Sequence, residues 1–574
     1  MAFQPKRLSN ARLLDEVLQR SDLLRKEPLQ LYPWLLRPCR VRTLLVTDGG
    51  LDFSGQDFGL STFVSILIND GRHYVEFEIT VAHLRSDVTD EQVMQGAPGI
   101  AQSIRDFRFD NPAHFTPDMY DQVWLFGIET FFHSPQYAAR DAARNIYPAD
   151  RLSDNELVNL SSFMNAGGGL FATGDHGLLG HNLSSAVTRA RSMRLWDSTS
   201  PDEDVDEVSM GGPRRNDTNR IGHDPGSQFN DQSDDIPQDI QPTLYSARLS
   251  PFFRLRWPHP LLCGPTGIIT VLPDHPHEGE CVVPSDLTAV YPFDGTREYP
   301  DATDGSGPVS PEIVARSTVP AGNNADGTKQ ATIAHSFGAI SAYDGHRAGI
   351  GRVVCDATWH HFVNINLIGD SGVDDGLVKG RGFLASASGE EHFEKLKAYY
   401  RNIAVWISPP PAHRCFRRKL LWSLLYQHRV LEAVLTTPQV SLERADAALV
   451  FEIGAHARDV LGQSAGRCLS LQLLLDLVRT QTPALIPQID PWLPDLQDPE
   501  APVPPFVDPS PLLDMALGGA LLALREEFPM PSVDVREAVD KRGDELLEKG
   551  AAVALRMGLE SFGNTLERYA RLRG

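Results

Sequence analysis

Two short apolar runs end in residues able to move protons. GGGLFATGDHG reaches Asp175 and His176, and GRVVCDATWHHF reaches Asp356, His360 and His361. Imidazole titrates near neutral pH and carboxylates supply the partner charge, so Asp175, His176, His360 and His361 are the candidates for acid/base catalysis. Each run reads as a buried strand. In an open parallel sheet the carboxyl ends of neighbouring strands converge on one crevice, which is where such folds bind ligands.

Other strand ends add polar groups to the same edge. Asp48 closes VRTLLVTDGG and Glu129 closes YDQVWLFGIE; with His181 and Asp356 they are the candidate ligand-binding residues. Each has a plainer reading, as a turn former beside glycine or a hydrogen-bonded side chain. Asp175 also suits the N-cap of a helix starting near Leu178. A third group, Asp274, His275, His277 and Glu278, joined by His259, is dense in donors for a divalent metal, the one cofactor for which the sequence offers ligands. It lacks HExxH or paired-cysteine spacing, and Pro276 and Gly279 make it a turn, so a surface loop explains it equally.

The elements that must place these residues alternate. Strands are expected at VRTLLVT, YVEFEITVAHL, YDQVWLFGIE and after Gly169, with a helix starting near Gly59 and another capped by Ser153 and Glu156 and ended by Gly167 to Gly169. That alternation predicts a doubly wound α/β fold with a mostly parallel, flavodoxin-type sheet. Residues 197–250 are polar and aperiodic and read as a surface excursion. ATIAHSFGAISAY and GRVVCDATW complete the sheet, and Cys355 inside the last strand reads as a buried core thiol. The organisation expected is a helical segment at 1–40, the α/β domain at 41–405 with its polar insertion at about 197–250, a helical region at 406–482, a Pro-rich linker at 483–510 and helices at 511–574.

Composition narrows the partners. A formal charge of -22 over 574 residues argues against nucleic acid, whose phosphates need basic residues. The apolar stretch Met515 to Leu524 is about half the ~20 residues of a membrane span, so no membrane partner is expected. MAFQPKRLSNARLLDE has no apolar core of a secretory signal, and six cysteines without CxxC spacing suggest reduced thiols and a cytoplasmic protein.

The order of motifs resembles the class I glutamine amidotransferase-like superfamily, and within it the ThuA-like, trehalose-utilisation branch. The likeness spans roughly residues 41–405 without the excursion. It rests on the helix followed by Gly167-Gly-Gly and a strand ending in a sharp turn, then a late Gly351-Arg-Val-Val strand leading to His360. The resemblance implies an amidotransferase-like fold and a carbohydrate or its derivative as ligand. One departure is decisive: the elbow reads Thr173-Gly174-Asp175-His176-Gly177, with no cysteine where glutaminases carry their nucleophile.

The expected function is therefore binding of a small polar molecule, with hydrolytic or isomerising acid/base chemistry at the strand-end crevice and no glutaminase activity. The alternative is a catalytically silent scaffold. In both cases Leu546, Leu547, Leu555, Leu559, Phe562 and Leu566 form an apolar stripe on the last helix, through which a homo-oligomer or another protein could associate.

Overall fold

The computed structural model describes residues 37–69, 74–129, 151–175, 179–196, 237–247, 255–273, 279–319, 334–372, 380–425, 427, 430, 441–493, 510–528 and 533–573. Residues 1–36 of the helical segment expected at 1–40 and most of the 197–250 excursion lie outside them, and residues 39 and 40 open the first strand instead of ending a helix.

Runs of β-branched and aromatic residues form strands β1 (Cys39–Thr47), β2 (Val75–His83), β3 (Ile100–Ile104), β4 (Gln122–Phe126) and β5 (Gly169–Thr173). Later strands are β6 (Gln238–Pro242), β7 (Leu244–Ala247), β8 (Leu255–Pro258), β9 (Cys263–Gly264), β10 (Gly267–Ile268) and β11 (Val271–Leu272), then β12 (Glu312–Val319), β13 (His335–Tyr343) and β14 (Val353–Asp356). Ten of these make one sheet in the order β11-β6-β12-β13-β14-β5-β4-β1-β2-β3. The strands from β3 to β14 run parallel to their neighbours, and β13, β12, β6 and β11 extend the sheet antiparallel. The strand β6 corrects the sequence reading of 197–250: Ile240 is buried and pairs with β12, so the end of the supposed surface excursion is part of the sheet.

From β1 the chain builds outward through β2 and β3, then crosses to β4, β5 and β14 on the other side. The order reverses between β1 and β4, whose carboxyl ends lead to Asp48 and Glu129, and such a switch point is where open α/β sheets bind ligands.

Both sheet faces are covered. On one, Val41 and Leu45 of β1 and Phe171 of β5 pack with Phe63 and Leu67 of α1 (Ser61–Ile68), with Leu396, Tyr399 and Tyr400 of α3 (Ala387–Trp406), and onward into the C-terminal helices. On the other, Leu44, Val46, Leu170 and Ala172 pack with Leu157, Leu160 and Phe163 of α2 (Asp154–Asn165). Each such aliphatic side chain contributes about 1.5–3 kcal/mol relative to exposure. Ser153 and Glu156 make the reciprocal capping box expected at the start of α2.

The C-terminal helices are α4 (Pro410–Leu424), α5 (Ala447–Ala465), α6 (Arg467–Arg479), α7 (Ser510–Glu527) and α8 (Val533–Arg573). The start of the expected linker is docked, since Trp492 Nε1 donates to the Pro258 carbonyl at 3.0 Å. Among the described residues no helix is long and apolar enough to cross a membrane.

The cysteine reading needs correction. Cys39, at the start of β1, and Cys415, in α4, form a disulfide, while Cys263, Cys281, Cys355 and Cys468 are free. The partners are 376 residues apart, so no local spacing announces them. Packing brings them together, as Tyr74 beside β2 meets Phe416 of α4 at a centroid distance of 5.6 Å.

Candidate functional site

The turn after β14 is built by Asp356. Its Oδ1 accepts from the Thr358 backbone N–H at 3.2 Å and from His361 Nδ1–H at 2.6 Å, and its Oδ2 accepts from Tyr399 of α3 at 2.6 Å. With Nδ1 donating, His361 Nε2 is left as an acceptor, and Gln238 Nε2 faces it at 3.5 Å. Ser317 in turn donates to Gln238 Oε1. This relay ties β12, β6, β14 and α3 together. Both Asp356 and His361 are fully buried, so these two candidates brace the turn that carries His360.

Phe362 fixes the same turn from below. Its ring lies 5.3 Å from Phe63, 5.3 Å from Phe126, 5.1 Å from Phe171 and 5.0 Å from Tyr400. The single 3-10 turn Trp359–His361 therefore sits on a rigid aromatic base, and Tyr400 OH donates to the His361 carbonyl at 2.5 Å.

From this turn His360 projects toward the end of β5. Its Nδ1 lies 3.1 Å from Asn366 Oδ1, an oxygen that can only accept, so Nδ1 carries the hydrogen. Its Nε2 lies 3.5 Å from Asp175 Oδ2. That is longer than an ordinary hydrogen bond but within ion-pair range, so the carboxylate lies beside the imidazole without bonding it directly. The ring stacks on Trp359 at 4.1 Å and meets Phe58, 46% exposed, at 6.1 Å. His360 itself is 5% exposed and Asp175 1%.

Arg194 locks the two strand ends together. It is buried, and its Nη2 donates to the carbonyls of Asp175 at 2.6 Å and Ala357 at 2.7 Å, while its guanidinium lies 4.5 Å over the Trp196 ring. Burial lowers its pKa, opposed by several acidic groups that include Asp175 and Asp356. The backbone adds a direct tie, from Trp359 N–H to the Gly174 carbonyl at 2.8 Å. Sequence reasoning missed Arg194, because an arginine in VTRARSMR carries no sign of burial.

At the chain reversal, Asp48 Oδ1 accepts from the backbone N–H groups of Ile128 at 2.6 Å and Glu129 at 3.3 Å. Asp48 thereby holds the β4 turn against β1. Gly49 follows at φ 58°, and a Cβ there would fall 2.5 Å from Glu129 Oε1, so only glycine lets the Glu129 side chain lie across this turn. Glu129 is half-buried, and desolvation raises its pKa against a smaller lowering by Arg85. Beside it, Asn182 donates its backbone N–H to the Glu129 carbonyl at 3.3 Å. Among the described residues the fully buried Asn182 side-chain amide finds no hydrogen-bond partner at either end, nor does the Ser184 hydroxyl.

The remaining candidates lie elsewhere or outside the described residues. His181 Nδ1 donates to the Trp196 carbonyl at 3.0 Å. His259 caps its own turn, accepting from Leu261 N–H at Nδ1 and packing on Trp406 at 5.0 Å, and burial depresses its pKa to about 3. His176, Asp274, His275, His277 and Glu278 are outside the described residues. Among the described residues no three His, Cys, Asp or Glu side chains gather as a metal site. Cys355 is fully buried and its thiol is pushed up to about 12, chiefly by desolvation.

No protein-family model, curated protein or solved structure matches this chain.

Proposed function

We propose that the crevice at the carboxyl ends of β1, β4, β5 and β14 binds a small polar ligand, a carbohydrate or a derivative of one, and that Asp175 and His360 carry out hydrolytic or isomerising acid/base chemistry on it. The observation that carries this reading is the 3.5 Å approach of His360 Nε2 to Asp175 Oδ2, with the imidazole oriented from behind by Asn366. An imidazole beside a carboxylate can take a proton from a ligand hydroxyl or water and return it to a leaving group. The unpartnered amide of Asn182 supports a polar occupant, because an unsatisfied buried polar group costs roughly 1–3 kcal/mol. Glu129, whose pKa burial raises against a smaller lowering by Arg85, is a further carboxyl at the neighbouring strand end. An amidotransferase-like, flavodoxin-type fold is part of this proposal: without the edge strand β3, the parallel strands follow the relative order 2-1-3-4-5 of flavodoxins. The depth and raised pKa of Cys355 favour chemistry without a thiolate nucleophile.

The test is calorimetric titration with mono- and disaccharides, and turnover of nitrophenyl glycosides, by the unaltered protein and by the variants Asp175→Asn and His360→Gln. A sugar should bind the unaltered protein, and either substitution should lower turnover by about 100-fold or more. A folded protein that binds and turns over none of these compounds, or variants as active as the parent, would refute the proposal.

A further inference from the structure

The four free thiols fall into two unlike pairs. Cys281 and Cys355 are buried in the sheet core, where desolvation holds both above their ordinary pKa. Cys263 and Cys468 meet where β9 of the α/β body faces the start of α6. Both line one open cleft of about 360 Å³, shared with Pro260, Trp406, Gly466 and Gln472. Cys468 is buried and Cys263 partly exposed, so a molecule entering the cleft reaches Cys263 first. Space is open beside them, since a Cβ on Gly466 would meet nothing within 4 Å.

Each cysteine is held in place. Cys263 follows the turn Pro260–Leu262 and pairs with Ile268 of β10. Asn402 of α3 donates its amide to the Cys263 carbonyl at 3.0 Å and to the Leu261 carbonyl at 3.2 Å. Cys468 lies in the first turn of α6, a 13-residue helix entered through Gly466. Its neighbour Arg467 is anchored over the Trp257 ring at 5.1 Å.

These surroundings give the two sulfurs different chemistry. The Cys468 thiol holds the Cys263 thiol below its ordinary pKa against the opposing effect of burial, and the Cys468 backbone N–H and the Arg467 charge act in the same direction. The Cys468 thiol is pushed up in turn, first by Cys263 and then by burial. A thiol that ionises readily beside one that keeps its proton is a pairing of attacking and resolving groups.

We propose that Cys263 and Cys468 form a thiol–disulfide exchange site for low-molecular-weight disulfides, and that oxidation joins β9 to α6. The Cys263 thiolate attacks one sulfur of the small disulfide, forming a mixed disulfide; the departing thiolate takes up the proton that Cys263 gave up. Cys468 then gives up its proton and attacks Cys263 Sγ, and the second half of the small disulfide leaves as a thiol. Two protein thiols are oxidised to one disulfide and one small disulfide is reduced to two thiols, so electrons and protons balance. In the structure the pair is reduced, and its oxidation would fasten the helical region to the α/β body at a second point besides Cys39–Cys415.

The experiment exposes the full chain to oxidised glutathione, quenches with iodoacetamide and maps the peptides by mass. A Cys263–Cys468 linkage should form, and excess reduced glutathione should reverse it. Cys468→Ser should stop at a glutathione mixed disulfide on position 263, and Cys263→Ser should give neither product. In the reduced parent at pH 7, Cys263 should alkylate about tenfold faster than Cys281 and Cys355 or more. A folded parent that gives no linkage of 263 to 468 at any ratio of oxidised to reduced glutathione overturns the proposal, whether or not the variants fold. So does a Cys468→Ser protein that carries glutathione on Cys281 or Cys355 and not on position 263, or a Cys263 that alkylates no faster than those two core thiols.

Discussion

Asn366 Oδ1 accepts from His360 Nδ1–H at 3.1 Å, which turns the other ring nitrogen toward Asp175. The Asn366 side chain is buried on the short helix Asn364–Ile368, whose neighbour Asn364 clamps the loop after β1 through the carbonyls of Ser54 and Gln56. Asn366 is thus a positioning residue for the proposed proton transfer. Asn366→Leu, close in volume but without an acceptor, should lower turnover at least tenfold, while Asn366→Asp, which keeps the oxygen, should retain most of it. Equal turnover in the two variants would remove Asn366 from the argument. The KM should move less than kcat if only the ring's orientation is lost.

The relay behind the turn should answer differently. Tyr399, Asp356 and His361 are all buried, and burial together with the Asp356 carboxylate holds the Tyr399 phenol well above its ordinary pKa. Tyr399→Phe removes one donor to a buried carboxylate and should cost about 1.5–3 kcal/mol in unfolding free energy. Asp356→Asn should cost a similar amount, and the two together less than their sum, because they break one network. Denaturant titration of the two single variants and the double variant measures the coupling. Strict additivity would show that the relay does not act as a unit.

What could be read from the chain followed its local patterns. The apolar runs gave the strands around Leu44, Ile79, Trp124 and Phe171, and the Ser153–Glu156 pair gave the start of α2. The endings at Asp175 and His360 were legible as neighbours because β5 and β14 pair in parallel, Thr173 opposite Asp356. The division of labour between His360 and His361 was not. Adjacent in sequence, one points to Asp175 and the other into a relay that depends on Gln238, 123 residues away, and on Tyr399, whose partner Asp356 is 43 residues away. Arg194 was invisible for the same reason, since its acceptor at Ala357 lies 163 positions on. The apolar pattern of α8 was legible as one stripe. Its division into a buried and an exposed half depends on where α7 begins beside it, since Met515 near that start meets Gly558.

The disulfide offers a test of how the C-terminal helices are held. Cys39 and Cys415 link the first strand of the sheet to α4 across 376 residues of chain, and a cross-link closing so long a loop restricts the unfolded ensemble strongly. Reduction, or the variant Cys39→Ser/Cys415→Ser, should lower unfolding free energy by about 2–4 kcal/mol. Denaturant titration with and without reductant measures it. The double variant should lose all sensitivity to mild reductant, and a parent whose stability ignores reductant would contradict the linkage.

Two buried histidines set an acid limit. His259 and His413 have pKa values depressed to about 3, first by burial and then by the nearby Arg352, and both are neutral in the folded protein at pH 7. His413 Nε2 donates to the Trp406 carbonyl at 3.3 Å, and His259 packs on the Trp406 ring, so both flank the junction of α3 and α4. In the unfolded chain each would titrate near 6.5. Between pH 6.5 and 3 the unfolded state therefore binds more protons, and stability falls as pH falls through this window. Above 6.5 the contribution is fully present. Each histidine should add up to about 1.4 kcal/mol per pH unit to the slope, since one bound proton changes the free energy by that amount. His413→Gln keeps an N–H for the Trp406 carbonyl and removes the titration. Its unfolding free energy, measured by denaturant at pH 7 and at pH 5, should fall less between the two values than that of the parent, by up to about 2 kcal/mol after allowing for the part of the window below the unfolded pKa. An identical drop in parent and variant would mean that His413 is already protonated in the folded protein at pH 5.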